Sequence, residues 1–154
     1  MNNPLHQIKQ QLQAHCVAYA DARIATARLA METAQAAANA EEKSSAGDKY
    51  ETTRAMMQIE RDKAAEQLEE GLKLKRVVEG IIPQINSTRI GLGSLVVTDS
   101  VHFYIAISAG KVDIGDQSFL TVSIQAPIAI TLLKLKKGET FVFNKQQLSI
   151  REIA

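Results

Sequence analysis

One pattern constrains this chain more than any other: helical periodicity that covers about the first eighty residues and is broken once. Apolar residues recur at steps of three and four from Leu5 to about Lys43, and the same spacing resumes at Asp48 and continues to about Glu79. Residues 44–47, which separate the two stretches, are all small. Because a long helix that stops at so short a turn has to reverse, the sequence predicts an antiparallel helical hairpin.

The composition of the first helix predicts close packing within this hairpin. Nine alanines lie between positions 22 and 40, and their small side chains allow a partner helix to approach. When the chain is folded about the turn, Met56 and Met57 face residues 34–38, and Leu68 and Leu72 face residues 20–24 and Cys16. Large side chains opposite small ones fill the space between two helices without voids.

The remainder of the chain has the period of two that is typical of strands. Gly80, Pro83 and the polar residues after them predict a linker over 81–92. Pro127 begins a short helical segment that extends to Leu133. Segments rich in β-branched and aromatic residues predict five strands, at 94–98, 101–107, 119–124, 140–143 and 148–153.

The predicted fold is therefore α+β. It consists of a long antiparallel helical hairpin, or coiled coil, over residues 1–80 with an acidic tip at 44–52. A small antiparallel β-sheet domain with one short helix follows over residues 93–154.

Composition narrows the classes of function. A chain of 154 residues with 45% hydrophobic and 23% charged residues is expected to fold, and its net charge of +1 argues against a protein that coats nucleic acid electrostatically. The single cysteine, Cys16, excludes an intrachain disulfide and fits a reducing compartment. His6, His15 and His102 are too dispersed for a zinc site. With no visible secretory signal and no membrane-spanning stretch, we expect a cytoplasmic protein without a membrane partner.

Two carboxylates, Asp48 and Glu51, lie three residues apart at the predicted tip. One interpretation is a capping box, in which Asp48 caps the second helix and Glu51 bonds back to the start of that helix. The other is that both carboxylates project from the tip as metal ligands or water-orienting groups. Since two carboxylates bind Mg²⁺ weakly, the second interpretation requires another protein to supply the remaining ligands.

Two segments resemble a known family. Residues 47–55 read Gly-Asp-Lys-Tyr-Glu-Thr-Thr-Arg-Ala, and residues 126–139 read Ala-Pro-Ile-Ala-Ile-Thr-Leu-Leu-Lys-Leu-Lys-Lys-Gly-Glu. They are similar to the tip motif Gly-Asp-Leu-x-Glu-Asn-Ala-Glu-Tyr and the C-terminal motif Ser-Pro-Ile-Ala-x-x-Leu-x-Gly-Lys-x-x-Gly-Asp of the bacterial GreA/GreB-type transcript-cleavage factors. The resemblance implies an FKBP-like C-terminal domain after the coiled coil.

The resemblance also implies an activity. Members of this family insert their coiled coil into the secondary channel of RNA polymerase and stimulate cleavage of backtracked transcripts. DNA binding is a further property that the resemblance implies. By this resemblance Asp48 and Glu51 are donated to the polymerase active site, where they help to hold a shared Mg²⁺. The protein is then an accessory factor and not itself an enzyme, has no tightly bound cofactor, and is expected to be a monomer whose partners are RNA polymerase and nascent RNA.

Further residues have roles implied by the same resemblance. Lys43, Lys49 and Arg54 are candidates for contacts with RNA phosphates or with the polymerase near the tip. Pro127 and Ile128 are candidates for docking of the C-terminal domain on the polymerase. For each of these residues the alternative is structural: solvated surface charge for the cations, and helix initiation and core packing for the other two.

Departures from the family motifs keep other functions open. Residues 52–55 lack the aromatic residue of the tip motif. In the C-terminal motif, Ala126 replaces the usual serine. A first alternative is a regulator that enters the same channel without stimulating cleavage. A more remote alternative is an FKBP-like prolyl isomerase or chaperone, which needs an aromatic-lined pocket.

Overall fold

The fold is α+β, as the sequence predicts, with two long helices followed by a sheet and a short helix. The computed structural model describes residues 4–44, 48–83 and 88–154, and the side chains of all of these except 41–44 and 48–50. Within this part of the chain, no helix combines the length and apolarity needed to cross a membrane. The elements in chain order are α1 (Pro4–Ser44), α2 (Asp48–Glu79), β1 (Leu95–Thr98), β2 (His102–Ala106), β3 (Gly110–Ile114), β4 (Gln117–Ser123), α3 (Pro127–Leu133), β5 (Thr140–Phe143) and β6 (Gln146–Ile153).

The chain divides into two compact units, and the division does not follow the boundary between helices and strands. One unit, which we call the helix-pair unit, is the single stretch Tyr19–Lys75. The other, the sheet unit, joins Met1–Ala18 to Arg76–Ala154. The first turns of α1 and the last turn of α2 therefore belong with the sheet.

In the helix-pair unit, the two helical segments pack antiparallel. The Nζ of Lys75 lies 2.7 Å from Oδ1 of Asp21, and farther along the pair Met57 borders the same groove as Ala34 and Ala38. Residues later in α1 thus meet residues earlier in α2. Met57 lies beside the alanines that the sequence register places opposite it, and small residues such as Ala34 are buried there.

At Gly71 the two helices pack so closely that an added side chain would clash with the partner helix. A Cβ added at Gly71 would lie 2.9 Å from Cγ1 and 3.4 Å from the backbone nitrogen of Ile24. Ile24 is itself buried. Glycine in the interior of a helix costs about 1 kcal/mol relative to alanine, so its presence here is explained by the space that it leaves for Ile24.

We predict that Gly71→Ala destabilises the protein. Overpacking costs about 1–3 kcal/mol, which exceeds the gain in helix propensity, so the free energy of unfolding in urea should fall by about 1–2 kcal/mol. In an Ile24→Ala background the added methyl group has room, and the same substitution should then be neutral or stabilising. A Gly71→Ala protein that is more stable than wild type would contradict this packing.

The sheet has six strands in the order β3-β4-β2-β1-β6-β5. It is mostly antiparallel, and the exception is the parallel pair of β2 and β4, which begins with His102 beside Phe119. The sequence predicts no strand over 110–114, where β3 lies at the edge of the sheet. Its exposed Lys111 and Asp113 alternate with half-buried Val112, a pattern of period two that is hidden by the charges and by the glycine that begins the strand.

Aromatic packing forms the centre of the core. Phe103 in β2 is fully buried and meets Phe141 and Phe143 of β5 edge-on, with ring centroids 5.9 and 5.1 Å away. Ala129 and Leu132 of α3 are also buried in this cluster. The short helix thus covers one part of the sheet and keeps its other residues at the surface.

Side chains from the start of α1 complete the sheet unit with hydrogen bonds to backbone carbonyls. The amide nitrogen Nε2 of Gln13 donates to the carbonyls of Val78 and Ile81, at 2.9 and 3.0 Å. Nε2 of His15 lies 3.0 Å from the carbonyl oxygen of Ala109. The carbonyl of Val78 also accepts from the N–H of Ile81, at 3.1 Å. Gln13 thus holds the last turn of α2 and the backbone that follows it.

His102 occupies a buried position at the start of β2. Its Nδ1 accepts a hydrogen bond from the N–H of Thr98, at 3.1 Å, and its ring centroid is 5.1 Å from that of Phe119. Burial lowers the pKa of His102 from its ordinary value of 6.5. An accepting Nδ1 carries no proton, so the native contact requires the neutral imidazole.

We therefore predict that the protein loses stability as the pH falls below 6.5. In that range the unfolded chain binds a proton that native His102 does not, so the free energy of unfolding should decrease by at most about 1.4 kcal/mol per pH unit. The variant His102→Asn retains an acceptor for Thr98 and cannot titrate. His6 and His15 are present in both proteins, so a parallel pH dependence for the variant and wild type in urea titrations would refute the assignment to His102.

Candidate functional site

The predicted tip lies where the long helices meet in sequence. Helix α1 ends at Ser44 and α2 begins at Asp48, so Asp48 occupies the first position of α2 and Glu51 lies in its first turn. The side chain of Glu51 is exposed. The side chain of Asp48, and with it the capping-box interpretation, lies outside the described residues, as do the side chains of Lys43 and Lys49.

This position suits negative charge. The N–H groups of the first turn give the start of a helix a partial positive charge, which favours nearby carboxylates. An exposed glutamate there offers hard oxygen ligands to a cation and pays no cost of burial. Glu51 is therefore available for contact with another molecule.

Arg54 lies one turn after Glu51 and is exposed. It borders a groove in the helix-pair unit together with Arg61, and Ala34 and Ala38 form part of the same groove. Residues seven apart share a helix face, so the two arginines are about 10 Å apart along the axis. Arg61 is not among the candidates named from the sequence, although its spacing of seven from Arg54 places it on the same helix face.

The two residues predicted to dock the C-terminal domain have different environments. Pro127, at the start of α3, is exposed, whereas Ile128 is half-buried and packs against the core cluster. The exposed apolar residues of the same helix are Ile130 and Leu133, at 47% and 38% exposure. Their spacing of three from Pro127 places all three on one face, so the apolar surface of α3 consists of Pro127, Ile130 and Leu133.

Histidine and cysteine side chains make structural contacts. Nδ1 of His6 lies 3.2 Å from the carbonyl oxygen of Pro83, and His15 and His102 bond to the backbone as described above. Across the residues whose side chains are described, no group of three or more His, Cys, Asp or Glu residues is placed to hold a metal ion.

Cys16 is buried, and burial raises the pKa of its thiol to about 11, against a smaller opposing effect of its hydrogen bond with the backbone of Ile107. The thiolate is the reactive form of cysteine. Cys16 is therefore a packing residue and does not serve as a nucleophile.

We predict that Cys16 resists a thiol reagent such as dithionitrobenzoate in the native protein. At pH 8 a pKa of about 11 leaves ~0.1% of the thiol ionised, and burial blocks access, so reaction should be complete only after denaturation in urea. A Ser100→Cys variant, which adds a thiol at an exposed position, serves as the control and should react with one equivalent at once. Rapid labelling of the native wild-type protein would refute this account.

The aromatic side chains on which the isomerase alternative depends pack inside the sheet unit. Phe103, Tyr104, Phe119 and Phe141 are buried, and Phe143 is half-buried against Phe103. A proline-binding pocket needs aromatic rings that a substrate can reach. These five rings do not supply one, which leaves the isomerase alternative without a supporting observation.

Comparison with known proteins adds no relative. The chain matches no protein-family model, no curated protein and no solved structure. What it does is therefore inferred from its own side chains and their placement.

Proposed function

We propose that this protein is an RNA polymerase accessory factor of the GreA/GreB type, which enters the secondary channel and stimulates cleavage of backtracked transcripts. The observation that carries the proposal is the exposed carboxylate of Glu51 in the first turn of α2. It follows Asp48 by three residues at the point where one long helix ends and an antiparallel one begins. The sheet unit is then the FKBP-like domain of this family.

The proposed chemistry is hydrolysis of a phosphodiester by two metal ions about 3.5–4 Å apart. The polymerase holds the ions, and Asp48 and Glu51 add oxygen ligands to the Mg²⁺ that is bound more weakly. Carboxylates at a helix start suit this role because Mg²⁺ prefers oxygen ligands and keeps several of its waters. The protein needs no cofactor of its own and acts through its partner, so it is not an enzyme in isolation.

Cations near the tip fit the same function. Arg54 and Arg61 border one groove in the helix-pair unit, and guanidinium groups bind phosphate with paired hydrogen bonds. We assign to them contacts with the phosphates of the RNA 3′ segment, with Lys43 and Lys49 as further candidates. These contacts orient the RNA and carry no base selectivity.

Docking is assigned to the apolar surface of α3. Pro127, Ile130 and Leu133 expose apolar side chains on one helix face, and exposed apolar patches mark sites of protein contact. We propose that this surface contacts the rim of the polymerase channel. The protein then acts as a monomer in the cytoplasm, where transcription takes place.

A second candidate function is regulation through the same channel without cleavage. Ala55 is exposed on α2 at the position where the family motif has a tyrosine. An exposed methyl group cannot stack on a base or donate a hydrogen bond, so the tip retains its carboxylates and loses one contact. A protein of this kind occupies the channel and competes with cleavage factors.

We predict that Asp48→Asn and Glu51→Gln each slow transcript cleavage in backtracked elongation complexes. Loss of one ligand should weaken the shared Mg²⁺, so at limiting Mg²⁺ the cleavage rate should fall roughly 10- to 100-fold. Glu60→Gln, which removes an exposed carboxylate elsewhere on α2, is the matched control and should cleave like wild type. Shortening of end-labelled RNA on a gel gives the rate.

A binding measurement separates the two candidate functions. Competition with a labelled secondary-channel factor reports occupancy of the channel whether or not RNA is cut. Wild-type protein that competes and leaves the RNA intact is the non-cleaving regulator. Protein that does not compete at all is neither.

A further inference from the structure

Positive charge in the C-terminal part of the chain is concentrated in one groove. Residues 81–154 contain seven Lys and Arg residues and five Asp and Glu residues. Four of the seven cations border a groove of about 700 Å³ in the sheet unit, and none of the five carboxylate residues is among the residues that border it. The four are Arg89, Lys134, Lys136 and Lys137. We call it the basic groove.

The loop that supplies three of these cations is held in place at several points. Leu135, between two of the lysines, packs against the core cluster, and its N–H donates to the carbonyl of Leu132 at 3.0 Å. The N–H of Lys136 donates to Oε1 of Glu139 at 2.9 Å. Gly138, which has a φ of +94°, donates its N–H to the carbonyl of Ile150 at 2.8 Å. The lysines are thus presented from an ordered backbone.

These lysines are available for an external partner. In the described part of the chain, no ion pair joins Lys134, Lys136 or Lys137 to a carboxylate, and all three are exposed. Like charges that border one groove repel, and an anion that bridges them relieves this repulsion. Because the lysines are spread over a loop, a ligand with several spaced negative charges gains more than a single small anion.

The remaining side chains of the basic groove indicate the chemistry of that ligand. Ile90 is buried and Leu135 is half-buried, which leaves Leu133 as the exposed apolar residue. Among the described residues that border the groove, none has an aromatic side chain on which a base could stack. Lysine and arginine without aromatic residues bind phosphates and do not read bases.

We propose that the basic groove binds the phosphate backbone of nucleic acid without base selectivity. The proposal stands apart from the cleavage function, because it uses other residues and concerns the isolated protein. Duplex DNA and single-stranded RNA share this chemistry, and the experiment distinguishes the two. An acidic protein surface is the competing class of partner and is an outcome of the same experiment.

The test is fluorescence anisotropy of labelled twenty-nucleotide duplex DNA and RNA of mixed sequence with the full chain, over a range of salt. Wild-type protein should bind with a logarithmic salt slope of about −3 to −4 for duplex DNA if the four cations each meet a phosphate. The triple variant Lys134→Gln, Lys136→Gln and Lys137→Gln should bind roughly tenfold more weakly at low salt. Its logarithmic salt slope should be about −1. The nucleic acid with the greater wild-type affinity identifies the source of the phosphates.

A matched control removes three positive charges elsewhere in the same unit. The variant Lys111→Gln, Lys145→Gln and Arg151→Gln has the same net charge and should retain wild-type binding. A second variant, Glu139→Gln, keeps an oxygen acceptor for the N–H of Lys136 and removes the carboxylate of the loop, so it should bind more tightly. Circular dichroism verifies that each variant is folded.

Three results would overturn the proposal. The first is that the wild-type protein does not bind nucleic acid at low salt. The second is that the two triple variants lose affinity equally. The third is that a polyglutamate peptide displaces nucleic acid from the wild-type protein at a lower charge concentration than unlabelled DNA does. The third result would assign the basic groove to an acidic protein. None of the three bears on transcript cleavage, which depends on Asp48 and Glu51.

Discussion

The structure depends on one contact, in which the beginning of α1 and the end of α2 pack into the same unit as the sheet. Leu12, Cys16 and Val78 are completely buried there. Gln13 donates to a carbonyl in the last turn of α2 and to one just beyond it, and His15 bonds to the backbone beside β3. Apolar burial and these bonds favour the same arrangement, so the helix ends and the sheet form one compact unit.

The same contact accounts for the backbone that leads from α2 to β1. A Cβ on Gly93 would lie 2.9 Å from Cγ2 of Ile81, and its φ of +88° is also one that other residues rarely adopt. Ile81 is buried, so the space is filled by the residue that follows the last turn of α2. The largest fully buried side chains that the structure describes all lie in the sheet unit, whereas the described buried hydrophobic residues of the helix-pair unit are Ile24 and alanines.

Much of this fold can be predicted from the sequence because local patterns determine it. The bounds of α3 follow from Pro127 and the apolar residues after it, and the two long helices follow from their periodicity. Strand pairing is different. The parallel arrangement of β2 beside β4 and the edge position of β3 depend on contacts between distant residues, which the alternation of side chains along a strand does not specify.

The candidate sites also differ in whether local sequence or the folded chain brings their residues together. Asp48 and Glu51 lie three residues apart in sequence, so a pattern of a few residues is enough to propose them as a site. Ile128 is half-buried against the core cluster, and a short helix buries only one side. Sequence alone does not say whether Ile128 or Ile130 lies on that side. The basic groove brings Arg89 to a loop forty-five residues later, and only the folded chain places them together.

Because four cations border the basic groove, the net charge of the whole chain does not describe the charge that a ligand meets there. A net charge of +1 excludes a protein that attracts nucleic acid over its whole surface, yet at physiological salt an exposed charge acts over only about 8 Å. A ligand at the basic groove therefore responds to the four cations beside it and not to the sum over the chain. By the same reasoning a cation at the start of α2 responds to the exposed carboxylate of Glu51, so one nearly neutral chain can present surfaces of opposite sign.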